Sequence, residues 1–317
     1  MIETAVQKTL KSSVTCSGVG VHSGMPANLT IKPADKNTGY VFIRTDVTDK
    51  NNVIAGLWDH VAETRLCTVL SNNDGVTIST VEHVLSALAG LGIDNAILEI
   101  DGPEMPIMDG SAQAFVEMID RAGLQDQDAQ RRYILVKKPV SFEEDGKTVT
   151  LMPSLNPSWN MDIDFDSAAI GQQNHSFDNS EKSYRRDIAD CRTFGFLHEV
   201  EMLKKMGLAR GGSLDNAIVI DGDDVINPGG LRHEDEFVRH KILDAIGDLI
   251  LAGAPILANY HGDKAGHAMN NKVLHALFAN KDAFEFISAG RLALLKQMSD
   301  KRTTAQPQPP TEQTIRL

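Results

Sequence analysis

The stretch FVRHKILDAIGDL, residues 237–249, constrains the fold more than any other part of the chain. At 100° per residue, Val238, Ile242, Ala245, Ile246 and Leu249 share one stripe, while His240, Asp244 and Asp248 align on the opposite side. A water-facing helix side usually mixes Lys with Glu. This one carries an imidazole and two short carboxylates, so it needs a chemical reason.

His240 and Asp244 are four residues apart, and side chains at that spacing project together and can grip one metal ion. An isolated HxxxD is a weak signal, because a solvated face with an incidental His/Asp pair has the same spacing. A catalytic zinc takes three protein ligands and leaves one position open, so a third must come from elsewhere. STVEHVLSALAG, residues 79–90, offers His83 with Glu82 beside it, a carboxylate placed to take a proton from an attacking water. The same stretch reads equally well as a capping box, in which Ser79 and Glu82 only satisfy backbone groups. His267, in the glycine-bracketed loop HGDKAGH, is a third candidate, and Asp248 can orient it and hold it protonated as a general acid. Two histidines and a carboxylate also describe the facial triad of non-haem iron oxygenases. The HxD-like runs His233-Glu234-Asp235 and His261-Gly262-Asp263 fit that reading less well, since one lies beside a helix and the other in a turn.

The surrounding pattern is mixed. Ala27–Ile31, Tyr40–Arg44 and Ala96–Ile100 read as strands around helices at Val81–Leu91 and Ala112–Ala122. GLQDQDAQRR, residues 123–132, is polar and marks a linker between a first domain, 1–127, and a second, 132–300. Beyond it come strands at Tyr133–Lys137, Thr148–Met152 and Asp162–Phe165, a helix over Leu197–Met206 and a strand at Ala217–Ile220. The two-stripe helix follows, then a strand at Ile256–Tyr260 and a terminal helix pair. Residues 301–317 are Pro/Gln-rich and read as a disordered tail. The halves echo each other: His83 reaches Gly90 in seven residues and His240 reaches Gly247 in seven, each leading to a strand. Two α+β layers facing each other, with the histidine helices meeting at the cleft, satisfy this pattern.

A net charge of −12 over 317 residues argues against a broad phosphate-backbone footprint and so against a nucleic-acid partner. Cys16, Cys67 and Cys191 are odd in number and scattered, which implies neither a disulfide framework nor a thiolate zinc site and fits a reducing cytoplasm. No apolar run approaches the length of a membrane span.

Taken in order, SGVGVHSG (17–24), STVEHVLSALAGLGIDNAILEI (79–100), PEMPIMDGSA (103–112), CRTFGF (191–196), GGLRHEDEFVRHKILDAIGDL (229–249) and AGHAMNNK (265–272) resemble the zinc-dependent UDP-3-O-acyl-N-acetylglucosamine deacetylases of lipid A biosynthesis. The resemblance runs to about residue 290. It implies an α+β fold of two similar two-layer sandwich domains, with helices packed between the sheets and the active site at the domain junction. It implies Zn2+ held by His83, His240 and Asp244, with Glu82 activating water, His267 protonating the leaving amine, Asp248 supporting His267 and Thr193 helping to hold the oxyanion. Phe194 would contact substrate and Lys241 would meet the nucleotide diphosphate. Residues 196–220 would form an apolar insertion around the fatty acyl chain, with Val200, Leu203, Met206, Leu208 and Leu214 facing it. Cys67 reads as a buried, inert thiol, and His22 lies in a matching glycine-rich turn. The expected protein is a cytoplasmic monomer that takes an acylated UDP-amino-sugar and has at most transient contact with the inner membrane.

Overall fold

Alternating burial along the early strands builds the first sheet. Ala27, Leu29 and Ile31 point into the core from Pro26–Pro33, and Tyr40 and Phe42 do so from Tyr40–Arg44. In the computed structural model, which describes residues 5–178 and 180–304, these two strands flank Ala96–Ile100 in a five-stranded sheet. Val14–Val19 and Val53–Ala55 form its edges. A seven-stranded sheet forms in the second half around the long strand Ile256–Asp263, which pairs with Arg132–Val136, Lys147–Pro153 and Ser158–Asp164. The architecture is mixed α+β, with no closed barrel among the described residues.

Among the described residues, seven helices complete it: α1 (Glu82–Gly90), α2 (Gln113–Ala122), α3 (Glu181–Asp187), α4 (Leu197–Lys205), α5 (Glu236–Leu249), α6 (His267–Ala279) and α7 (Ala289–Thr304). Helix α2 packs on the first sheet, α5 and α6 on the second, and α1 crosses α5 between them. That crossing explains the two-stripe helix. Both of its sides are covered, and His240, Asp244 and Asp248 are as buried as Val238 and Ile242.

The crossing is close because Gly247 lies on it. A Cβ built there would stand 2.0 Å from the Glu82 carbonyl oxygen. Gly90, at the matching interval from His83, gives the same clearance to the Tyr184 ring of α3, 2.4 Å from where its Cβ would stand. The repeated His-to-Gly spacing is therefore a packing requirement in both halves.

Four expectations change. The stretch read as a linker is a strand, Leu124–Gln130, paired antiparallel with Val6–Leu10. Its ladder is supported by polar contacts, Gln127 accepting from Asn95 and donating to the Ala34 carbonyl, and a polar sequence hid it. The chain passes to the second sheet at Arg131, whose guanidinium pairs with Asp94. His261-Gly262-Asp263 lie within the strand Ile256–Asp263 and not in a turn. The terminal helices are separated by a strand, Phe284–Ser288, against Arg132–Val136. Of the tail read as disordered, 301–304 continue α7, and 305–317 lie outside the described residues. No helix among the described residues is long and apolar enough to cross a membrane.

Candidate active site

Helix α1 brings His83 to α5, where His240 and Asp244 stand one turn apart. The two imidazoles meet edge to face with centroids 5.1 Å apart. Asp244 Oδ1 lies 3.3 Å from His240 Nε2 and 3.6 Å from His83 Nε2. All three side chains are buried, and their ligating atoms lie within 4.8 Å of one another. Asp244 Oδ1 has no hydrogen-bond partner among the described residues, although buried carboxylate oxygens are normally satisfied. An unsatisfied oxygen facing two imidazole nitrogens is the signature of a site built for a cation. No fourth His, Cys, Asp or Glu joins this group among the described residues, which is the open arrangement of a catalytic metal site.

Neighbouring groups set the donors. His240 Nδ1 donates to the Cys191 carbonyl at 3.0 Å, which leaves the Nε2 lone pair facing Asp244. Burial pushes His240 down to about 4, a value consistent with a neutral ligand. The other oxygen of Asp244 accepts from Lys241 at 3.2 Å. Burial opposes the charge on Asp244, but His240, Lys241 and His83 outweigh it and hold the carboxyl well below the usual range. His83 Nδ1 is buried without a partner among the described residues.

Beside this trio Glu82 and His267 face each other. Burial raises the Glu82 carboxyl above its ordinary range, against the pull of His267 and His83. Its Oε2 accepts the Thr68 amide N–H at 3.1 Å, and its Oε1 stands 3.8 Å from His267 Nε2. The capping-box reading does not hold: Ser79 Oγ donates to the Pro103 carbonyl, and α1 starts without a side-chain cap. His267 is the first residue of α6 and is not in a loop. Its Nδ1 bonds Asp248 Oδ2 at 2.9 Å. Burial works against its positive charge, yet Asp248, Glu82 and Asp244 together raise its pKa to about 10. This arrangement favours the protonated imidazole.

A model of the UDP-3-O-acyl N-acetylglycosamine deacetylases matches residues 7–279. The chain belongs to this deacetylase family. It is 51% identical over 278 residues to the UDP-3-O-acyl-N-acetylglucosamine deacetylase of Phenylobacterium zucineum, covering 88% of this chain and 95% of that one. The protein of the same name from Shewanella loihica is 49% identical over 284 residues, covering 89% and 92%. That from Histophilus somni is 47% identical over 284 residues, covering 89% and 93%.

In this deacetylase-family chain a cavity of about 380 Å3 opens over the trio. Glu82, His83, His240, Lys241, Asp244 and His267 line it, as do Thr193 and Phe194. Lys241 lies 5.6 Å above the Phe194 ring as well as against Asp244. Val200 and Leu203 of α4, with Leu214, also line the cavity. Met206 does not: it is 64% exposed and absent from the lining. Leu208 is likewise absent from the lining. His22 lines the cavity, with its backbone N–H fixed by Glu104 at 2.8 Å. Cys67 is buried, and that burial, with Glu82 nearby, pushes its thiol up to about 12.

Sequence reasoning missed two residues. Thr68 serves both carboxylates, its amide bonding Glu82 and its hydroxyl bonding Asp248 Oδ1 at 2.6 Å. Asn270 donates to Asp248 Oδ2 at 2.9 Å. Asn270 is three residues after His267, so a helical reading of AGHAMNNK would have placed the two side by side. Thr68 carries no such signal, because it comes from a strand-side loop far from the other site residues in sequence.

Proposed function

We propose that this chain hydrolyses the acetamide of UDP-3-O-acyl-N-acetylglucosamine to UDP-3-O-acyl-glucosamine and acetate, the committed step of lipid A biosynthesis. One observation carries the reading: His83, His240 and the unsatisfied Asp244 oxygen converge with Glu82 and a charged His267 at one cavity. The two imidazoles and one carboxylate suit Zn2+, which would be held by His83, His240 and Asp244. When bound, the ion supplies Lewis acidity toward the acetamide carbonyl and toward water.

The rest is done by the chain. Glu82, whose proton affinity burial raises, takes the proton of the attacking water. Thr193, on the cavity side, donates to the developing oxyanion. His267, kept charged by Asp248, gives its Nε2 proton to the departing amine. Glu82 and His267 face each other at 3.8 Å, so the proton taken at one end of the reaction and the one delivered at the other are handled within a single contact. Val200, Leu203 and Leu214 receive the acyl chain, Phe194 packs on the sugar, and Lys241 meets the diphosphate. The reaction takes place in the cytoplasm, where the three free thiols stay reduced.

Acetate release from the acylated substrate by wild type and Glu82→Ala, with zinc measured in both, tests this reading. The variant should lose about 10²- to 10⁴-fold in kcat, as expected for removal of a positioned base, and should keep its zinc. No release by wild type would remove the function, and equal release by the variant would remove the base. Faster turnover of non-acylated UDP-N-acetylglucosamine would remove the acyl passage.

A further inference from the structure

A second cavity, of about 320 Å3, opens against the opposite side of α5, where Ile246, Leu249 and Ile250 line it. Its other buried walls are Leu151, Leu257 and Tyr260, with the Trp159 ring tilted against Tyr260 at a centroid distance of 5.2 Å. Close-packed interiors leave few voids larger than a water molecule. This one falls in the range of clefts that hold small ligands, about 300–1,000 Å3. Its less buried rim carries three cations, Lys8, Arg131 and Lys296, against one carboxylate, Glu181. Arg131 is answered by Asp94 at 2.8 Å. Asp94 also feels the charge of Lys8, but neither Lys8 nor Lys296 has a carboxylate at salt-bridge distance among the described residues. In a chain of net charge −12, two ammonium groups outside any salt bridge, above an apolar floor, favour a ligand with an anionic head and an apolar tail.

We propose that this cavity binds a single-chain carboxylate amphiphile, with its head at Lys8 and Lys296 and its tail against Trp159 and the apolar stripe of α5. Tyr260 links the cavity to the active site. Its hydroxyl donates to Asn270 Oδ1 at 2.8 Å, and Asn270 Nδ2 donates to Asp248 Oδ2, the oxygen that holds His267. A tail pressing on Tyr260 therefore acts on the placement of His267 and changes turnover. The binding claim stands on the cavity alone, whereas the change in turnover rests on the deacetylase reading.

The chain has two tryptophans, so Trp58→Phe leaves Trp159 as the sole indole emitter. Bromododecanoate, below its micelle concentration and with the zinc-loaded protein, should quench that emission saturably. Lys8→Glu with Lys296→Glu should weaken the half-saturation concentration about tenfold, as two surface charge contacts would, without changing basal turnover. Leu203→Glu, which disrupts the acyl end of the other cavity, should leave the quenching intact. Absence of quenching, quenching indifferent to both charge reversals, or quenching lost in Leu203→Glu would overturn the site. Dodecanoate should also change kcat in wild type and not in the charge-reversed protein. An effect on KM alone, equal in both, is competition at the acyl passage and would overturn the link through Tyr260.

Discussion

Replacing Gly247 with Ala tests whether the α1–α5 crossing sets the metal site. The added methyl would stand 2.0 Å from the Glu82 carbonyl oxygen, 2.8 Å from its carbon and 3.0 Å from the Glu82 Cα. These are backbone atoms of α1 and cannot swing aside. The helices must part by about 1.4 Å to bring the closest contact to an ordinary 3.4 Å. Two effects oppose each other. Ala favours an interior helix position over Gly by about 1 kcal/mol, while overpacking a tight core costs about 1–3 kcal/mol. Because the clash is with backbone, the second effect wins, and net destabilisation of about 1–2 kcal/mol is expected. The functional loss should exceed the loss in stability. His83 moves with α1, His240 and Asp244 stay with α5, and metal geometry tolerates about 0.2 Å. Zinc affinity measured against a competing chelator should fall at least tenfold, and thermal unfolding should lose much of its dependence on zinc. Gly229→Ala, where a Cβ meets nothing within 4 Å, serves as the control. A Gly247→Ala protein that binds zinc as tightly as wild type would refute the argument, even if it were less stable.

Other outcomes follow from the hydrogen bonds. Asp248→Asn removes the charge that most raises His267, so the alkaline limb of the pH–kcat profile should move to lower pH; an unmoved limb would exclude His267 as the acid. The folded value of His267, about 10, lies above the ordinary 6.5, so its contribution to stability is full below about pH 6.5 and is lost as pH rises toward 10. Urea unfolding at pH 6 and pH 9 should therefore show a steeper decline for wild type than for Asp248→Asn. Thr68→Val keeps the amide bond to Glu82 but leaves Asp248 Oδ1 unbonded. It should cost about 1–3 kcal/mol in chemical denaturation, the penalty of a buried acceptor left unsatisfied, and should lower kcat more than it raises KM.

The fold was legible where side chains sort by polarity. Helix α1 occupies all but the end residues of the expected Val81–Leu91, and the strands at 27–31, 40–44 and 96–100 lie inside observed ones. Legibility failed where the backbone ladder carries the element. Leu124–Gln130 has one aliphatic residue larger than alanine, and nothing in its composition distinguishes an edge strand bonded to Val6–Leu10 from a linker. Phe284–Ser288 is apolar enough, but it lies between two helical patterns that mask a five-residue strand.

The site was legible to the extent that ligands repeat at helical spacing. His240, Asp244 and Asp248 announce themselves by lying on one helix face, and His83 joins them only because Gly247 lets α1 approach. The groups that give these side chains their chemistry come from elsewhere. They are the carbonyl of Cys191 on His240, the amide and hydroxyl of Thr68 on two carboxylates, and Asn270 on Asp248. A backbone carbonyl has no sequence signature, and a threonine contributing one amide and one hydroxyl looks like any strand threonine. The candidate ligands are thus written in local periodicity, while the groups that would set their protonation come from contacts up to 180 residues apart. This separation makes Thr68 a sharper test than any ligand. Removing a ligand removes the metal whatever the mechanism, but removing one hydroxyl from Thr68 alters catalysis only if Asp248 holds His267 as the geometry requires.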